Sequence, residues 1–294
     1  MGEKDIMEKT LEAYNDVFAD IVNGLLFQGR PVIAPESLVD AQPFSFYKAD
    51  GKLREQERDV SKYCEEMCVR IALLGFENQT AEDKDMPLRV FGYDGASYRA
   101  QLDRKERYPV VTLVLYFGEK RWKRRNLFDV IKVPEEWRPY VNDYRINVFE
   151  IAFLSDEEIG RFKSDFQVVA DYFAHKRLNK DYRPKNPKQF DHANEVLKLF
   201  SALAHDHRFE DLIDPKGGTP SNMCEVLDRV EQKGIAIGEQ RGIEIGEQRG
   251  ALTKAKETAL NLRKMGFGFA QVAQIVNVEA ELVERWFEEA TNQA

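Results

Sequence analysis

Histidine and cysteine are scarce in this chain of 294 residues, which holds four of the first and three of the second. Three cysteines cannot make a disulfide framework, so the chain is expected in a reducing cytoplasm. Cys64 and Cys68 stand four apart with no histidine pair nearby, a pattern of reduced thiols rather than of zinc ligands. His205 and His207 are two apart in a helical stretch and do not share a face. No apolar run reaches the length of a membrane span, so no membrane partner is expected. The acidic, amphipathic start GEKDIMEKTLEAY lacks the profile of a signal peptide.

Charge of one sign is what the chain has in excess, with a net −8 that argues superficially against nucleic acid. Its distribution says more than its sum. Residues 1–83 carry 9 Lys/Arg against 17 Asp/Glu, and residues 84–145 carry 14 against 9. An acidic segment followed by a basic one suits carboxylates that hold a cation beside a surface that grips phosphates.

TLEAYNDVFADIVNGLLF sets Leu11, Tyr14, Phe18, Ile21, Val22, Leu25 and Leu26 at helical spacing, and GRP (29–31) stops that helix. A loop-like stretch follows through Gly51, and KLREQERDVSKYC then reads as an extended, charged segment. CVRIALLGFE is the clearest strand, with Val69, Ile71, Leu73, Gly75 and Glu77 alternating onto one face and Gln79 continuing it. MPLRVFGYDGASYRAQLDRKER (86–107) reads as a helix with Pro87 in its first turn. PVVTLVLYFG (109–118) has the continuous apolar character of a strand buried on both faces. YRINVFEIAF (144–153) is a further strand, and Ser155 with Glu158 forms a capping box at the head of another helix. The expected fold class is α/β, a mixed sheet core flanked by helices and followed by an α-helical C-terminal region.

Three divisions are expected: a core domain over 1–180, a helical extension over 181–233, and a tail over 234–294. GIAIGEQRGIEIGEQRG repeats with a period of eight and spaces Gly234, Gly238, Gly242, Gly246 and Gly250 four apart. Each glycine inside a helix costs about 1 kcal/mol relative to alanine. Two readings stand: a helix packed closely on a partner helix, such as a second copy of the chain, or a linker. The last stretch has the rhythm of a helix-turn-helix. Its near-balanced charge favours a packing or oligomerisation bundle over DNA.

The chemistry-bearing residues are Asp59, which ends ERD, and Glu77-Asn78-Gln79, which end the next strand. If the two strands are neighbours, Asp59 and Glu77 converge on one cation with Gln79 beside them. Hard oxygen ligands without histidine or thiolate select magnesium or manganese. The run EKRWKRR offers Lys120, Arg121, Lys123, Arg124 and Arg125 to DNA phosphates. Arg89 and Gln101 are candidates for second contacts with the phosphate backbone.

The pattern Asp-(x)n-Glu-x-Gln resembles the PD-(D/E)XK nuclease superfamily. NDVFADIVNGLLF, ERDVSK, IALLGFENQT, MPLRVFGYD and PVVTLVLYFGEKRW, taken in this order, resemble more closely the recombination-promoting nuclease (Rpn) or YhgA-like putative transposase family. The resemblance implies a restriction-endonuclease-like core, a magnesium- or manganese-dependent DNA endonuclease linked to recombination or mobile elements, and Asp59 and Glu77 as metal ligands. It sets Gln79 where lysine normally orients the attacking water; an amide there acts by hydrogen bonding and cannot serve as a base. It also implies a site residue on the opening helix, at Asn15 or else Asp16. A non-catalytic DNA-binding or protein-interaction module on the same fold is the alternative, favoured by Gln79 and Asn15.

Overall fold

The computed structural model describes residues 11–41, 44–49, 52–57, 60–74, 82–184, 187–204, 207–213 and 219–292. The chain divides into two compact units, residues 1–230 and 231–294.

The first unit opens with helix α1 (Asn15–Phe27), whose Val17, Phe18, Ile21 and Val22 are fully buried. It ends where the sequence demands, with Gln28 and Gly29 both at positive φ and the Gln28 N–H donating to the Asn23 carbonyl. The stretch expected to be loop up to Gly51 instead contains strand β1 (Leu38–Asp40) and strand β2 (Phe44–Ala49). β2 pairs antiparallel with β3 (Lys52–Glu57) as a two-stranded sheet of its own. Sequence periodicity misses β1 because three residues are too few to show an alternation. For β2 the signal exists, since Asp50-Gly51 is a pair favoured in two-residue hairpin loops.

The main sheet also comprises β4 (Val60–Cys64), β5 (Val69–Leu74), β6 (Val110–Tyr116) and β7 (Asn147–Glu150), in the order β1-β4-β5-β6-β7. β1, β4 and β5 pair antiparallel, whereas β5, β6 and β7 run parallel. The fold is therefore α/β with a mixed sheet, as the sequence predicts. Ile71, Leu73, Leu113 and Leu115 join α1 and a later helix, α4 (Phe166–Leu178), in one core. On the opposite face Val114, Tyr116 and Val148 pack on Met86, Val90 and Tyr93 of helix α2 (Met86–Arg99). Burial on both sides explains the unbroken apolar run of β6.

Three expected elements are shorter than their sequence pattern. α2 stops at Arg99 rather than near residue 107, because the Gln101 side chain bonds the Ser97 carbonyl and the Tyr108 N–H, folding the chain back toward β6. β7 has four residues and passes into a single 3₁₀ turn (Ile151–Phe153). The helix opened by the Ser155–Glu158 capping box, α3 (Asp156–Ile159), breaks before α4. Asp20 of α1 causes the break by accepting the Lys163 and Ser164 N–H groups and the Ser164 hydroxyl.

α5 (Ala193–Ala204) completes this core with Val196, Leu197 and Phe200, and Met223, Val226 and Val230 from the start of α6 (Met223–Lys264) join it. The glycine repeat lies wholly within α6, so it is helix and not linker. In the second unit, α7 (Phe269–Val276) and α8 (Ala280–Asn292) bury Val272, Ala273, Val283 and Trp286 against Ala259. Gly266 and Asn277, both at positive φ, make the turns that set the helix-turn-helix rhythm. Among the described residues no helix is long and apolar enough to cross a membrane.

Candidate active site

Asp59, Glu77 and Gln79 lie outside the described residues, and the strand ends next to them are described. β4 starts at Val60, β5 ends at Leu74, and Val60 pairs with Leu73 across the antiparallel ladder. The described strand ends that flank these positions are thus adjacent at one end of the sheet. β6 is parallel to β5, so its C-terminal Tyr116 points the following chain, 117–125, to that same end.

Asn15 and Asp16, the two residues expected from the opening helix, both have described partners. Asn15 donates its amide to the Leu38 carbonyl at 3.0 Å, which fastens α1 to β1. Asp16 reaches His192 at 3.0 Å, and the His192 ring lies on Tyr14 with centroids 3.8 Å apart. Glu12, one turn earlier, is wholly buried. A carboxylate is seldom buried without a purpose, because removing its charge from water is costly. The sequence holds a signal for it: at helical spacing Glu12 falls beside Ala19 and Leu26 on the apolar face.

Lys62 is the second residue that sequence reasoning passes over. Its side chain is 1% exposed on β4, its ammonium bonds the exposed Asp40 carboxylate at 2.5 Å, and it lies 5.8 Å from the Phe18 ring centre. Val60, Lys62 and Cys64 pair with Leu73, Ile71 and Val69, so Lys62 faces the core beneath α1. The alternation Val-x-Lys-x-Cys is the pattern that could have found it.

The basic run divides into two groups. Glu82 accepts the backbone N–H groups of Lys123 and Arg124 and binds the Arg124 guanidinium at 2.9 Å. Glu150 binds both Arg121 and Arg125 and accepts the Trp122 N–H. Trp122 is buried and donates its indole N–H to the Arg124 carbonyl. Three arginines and the tryptophan thus have structural partners, while Lys120 and Lys123 present exposed ammonium groups that pair with no carboxylate among the described residues. Arg89 pairs with Asp83 at 2.7 Å and is half exposed. Gln101 is 1% exposed with both ends of its amide bonded to backbone, a geometry that removes it from any surface a phosphate could reach.

A buried polar cluster lies on the α2 face of the sheet. Asp94 accepts from the Thr112 hydroxyl at 2.6 Å and from the Tyr144 hydroxyl at 2.5 Å, tying α2 to β6 and to the approach of β7. Arg70 donates to the Ser61 hydroxyl at 3.0 Å, and burial lowers its pKa from the usual arginine value. These contacts hold the strands in register at the middle of the sheet.

Among the described residues no three His, Cys, Asp or Glu side chains gather as a metal site. Comparison with known proteins gives a family match: the family described as "Putative transposase, YhgA-like" fits residues 69–198, from the first strand residue of β5 into α5. No curated protein and no solved structure matches the chain.

Proposed function

We propose, for a chain whose residues 69–198 match the YhgA-like putative transposase family, that it is a metal-dependent DNA endonuclease working at the common end of β4, β5 and β6. The observation that carries this reading is topological. The starts and ends from which Asp59, Glu77 and the basic run depart are neighbours, and Glu82 clamps the chain just after FENQT to Arg124. A ligand site and a phosphate-binding surface at one edge is what a nuclease of acidic overall charge requires.

In this reading Asp59 and Glu77 supply carboxylate oxygens, a donor set suited to magnesium or manganese. When bound, such an ion polarises a phosphoryl oxygen and lowers the pKa of water. Gln79 orients the attacking water through its amide without taking its proton. Glu12 is the acidic residue contributed from the opening helix, since Asn15 and Asp16 are committed to Leu38 and His192. Lys120 and Lys123 grip the DNA backbone, and the C-terminal helices serve association between copies of the chain. Recombination or mobile-element biology is the setting that the family description favours.

The test is nicking of supercoiled plasmid with magnesium or manganese by wild type, Asp59→Ala and Glu77→Ala. Metal-dependent nicking by wild type and at least a hundredfold loss in both variants is expected, about 3 kcal/mol of barrier. Equal nicking by all three would overturn the site. DNA binding without cleavage under either metal would establish the non-catalytic module instead.

A further inference from the structure

Strands β2 and β3 pair only with each other, as an antiparallel ribbon with six residues on each side. They lie in the connection from β1 to β4. The described residues on either side of that connection, Ala41 and Val60, stand at one end of the sheet, since Asp40 pairs with Lys62 and the Ala41 N–H donates to the Ser61 carbonyl. There β4 begins and β5 and β6 finish, which is the place of the proposed nuclease site. Neighbouring antiparallel strands need only two residues to join them, so the ribbon is an addition that the sheet itself does not require.

The register sorts the residues of the ribbon. Cross-strand partners and alternate residues share a face. Ser45 pairs with Gln56, Tyr47 with Arg54 and Ala49 with Lys52, and these positions make one face. Phe44 with Glu57, Phe46 with Glu55 and Lys48 with Leu53 make the other. Both carboxylates of the two strands therefore fall on the face that holds the phenylalanines and the leucine. The first face has two cations, a tyrosine, an amide and a hydroxyl, and no acid. That composition is a local exception in residues 1–83, which carry 17 Asp/Glu against 9 Lys/Arg. β2 lies beside α2, a neighbour for the more apolar face.

We propose that the β2–β3 ribbon enters the major groove of duplex DNA by its Tyr47–Arg54 face and holds the duplex at the cleavage end. This rests on the nuclease reading for its substrate and goes beyond it in naming the form of the DNA and the groove. The major groove is about 12 Å wide and admits a two-stranded ribbon, whose strands lie about 4.8 Å apart and extend about 20 Å over six residues. The right-handed twist of such a ribbon lets it follow the groove. Arg54 is of the type that bonds guanine O6 and N7 together, and Gln56 of the type that reads adenine N6 and N7. Lys52 and Tyr47 serve the flanking phosphates. Ser45 and Ala49 are small, so the backbone can approach the base edges. A carboxylate on this face would repel the phosphates, and the register puts none there.

Fluorescence anisotropy of the full chain with labelled duplex in metal-free buffer tests the ribbon apart from cleavage. Arg54→Ala is expected to weaken binding about tenfold, and Lys48→Ala, an equal loss of charge on the other face, by less than about twofold. A duplex with 7-deazaguanine in place of guanine lacks the N7 acceptor. Wild type should bind it several-fold more weakly than the ordinary duplex, whereas Arg54→Ala should bind the two alike. The modified DNA leaves the protein untouched, so a loss of fold cannot imitate that result. Equal losses from Arg54→Ala and Lys48→Ala, or a wild type indifferent to N7, would overturn the ribbon even where plasmid nicking and its dependence on Asp59 and Glu77 hold. N7-dependent binding by a chain that nicks no plasmid would uphold the ribbon and strike the endonuclease.

Discussion

Glu82 and Arg124, 42 residues apart in sequence, are joined by a 2.9 Å ion pair in which the carboxylate also accepts the Arg124 and Lys123 N–H groups. One side chain therefore fixes both the backbone and the guanidinium of the basic run. With Glu82 15% and Arg124 34% exposed, the pair is sheltered enough to matter. Glu82→Gln keeps one acceptor oxygen but removes the charge. It is expected to cost about 1.5–3 kcal/mol of stability, in the range of hydrogen bonds to charged groups. Loss of order at Lys123 should weaken DNA binding at the same time. Urea unfolding and fluorescence anisotropy with labelled duplex check both; unchanged values would remove Glu82 from this role.

Lys120 and Lys123 differ from the three arginines in that their ammonium groups pair with no carboxylate among the described residues. Lys120→Ala with Lys123→Ala is expected to leave the unfolding midpoint unchanged, because exposed charges contribute little to stability. DNA affinity should fall, and the slope of log affinity against log salt should become shallower by about 2, one unit for each phosphate no longer neutralised. Arg124→Ala and Arg125→Ala should do the reverse and lower stability more than the salt slope. A steep salt dependence that survives the lysine variant would move the phosphate-binding surface elsewhere.

How far the sequence reveals this division depends on the range of the cause. α1 and β6 are legible because their burial is written into periodic apolar residues along one element. The glycine spacing likewise points to close helix packing, although the helix itself emerges only with α6. Asp59, Glu77 and Gln79 are read as residue types alone and lie outside the described residues, where the nearest described neighbours are the paired Val60 and Leu73. What stays hidden is partner choice. Nothing near Arg124 in sequence says that Glu82 will hold it, and nothing near Asn15 says that its amide is spent on Leu38. Buried Glu12 and Lys62 escape notice for a related reason, since charged residues among apolar neighbours are read as the solvated edge of a face.

Asp165 offers a pH-dependent test of the way the α3–α4 break is held. The residue is fully buried before α4, its Oδ2 accepts the Asp191 and His192 N–H groups, and its Oδ1 has no hydrogen-bond partner among the described residues. Burial raises its pKa above the ordinary carboxylate value, and the two N–H donors oppose that shift without cancelling it. A carboxyl with a raised folded pKa takes up protons on folding, so its contribution to stability is greatest at acid pH. That contribution declines as pH rises from the unfolded carboxylate pKa through the raised folded one. Asp165→Asn keeps an oxygen to accept from Asp191 and His192 and carries no charge at any pH. The variant is therefore expected to match or exceed wild type at neutral pH and to flatten this part of the pH dependence. Urea unfolding of both proteins from acid to neutral pH gives the answer; a variant that loses stability in parallel with wild type across the range would show that the Asp165 charge is not what the fold responds to.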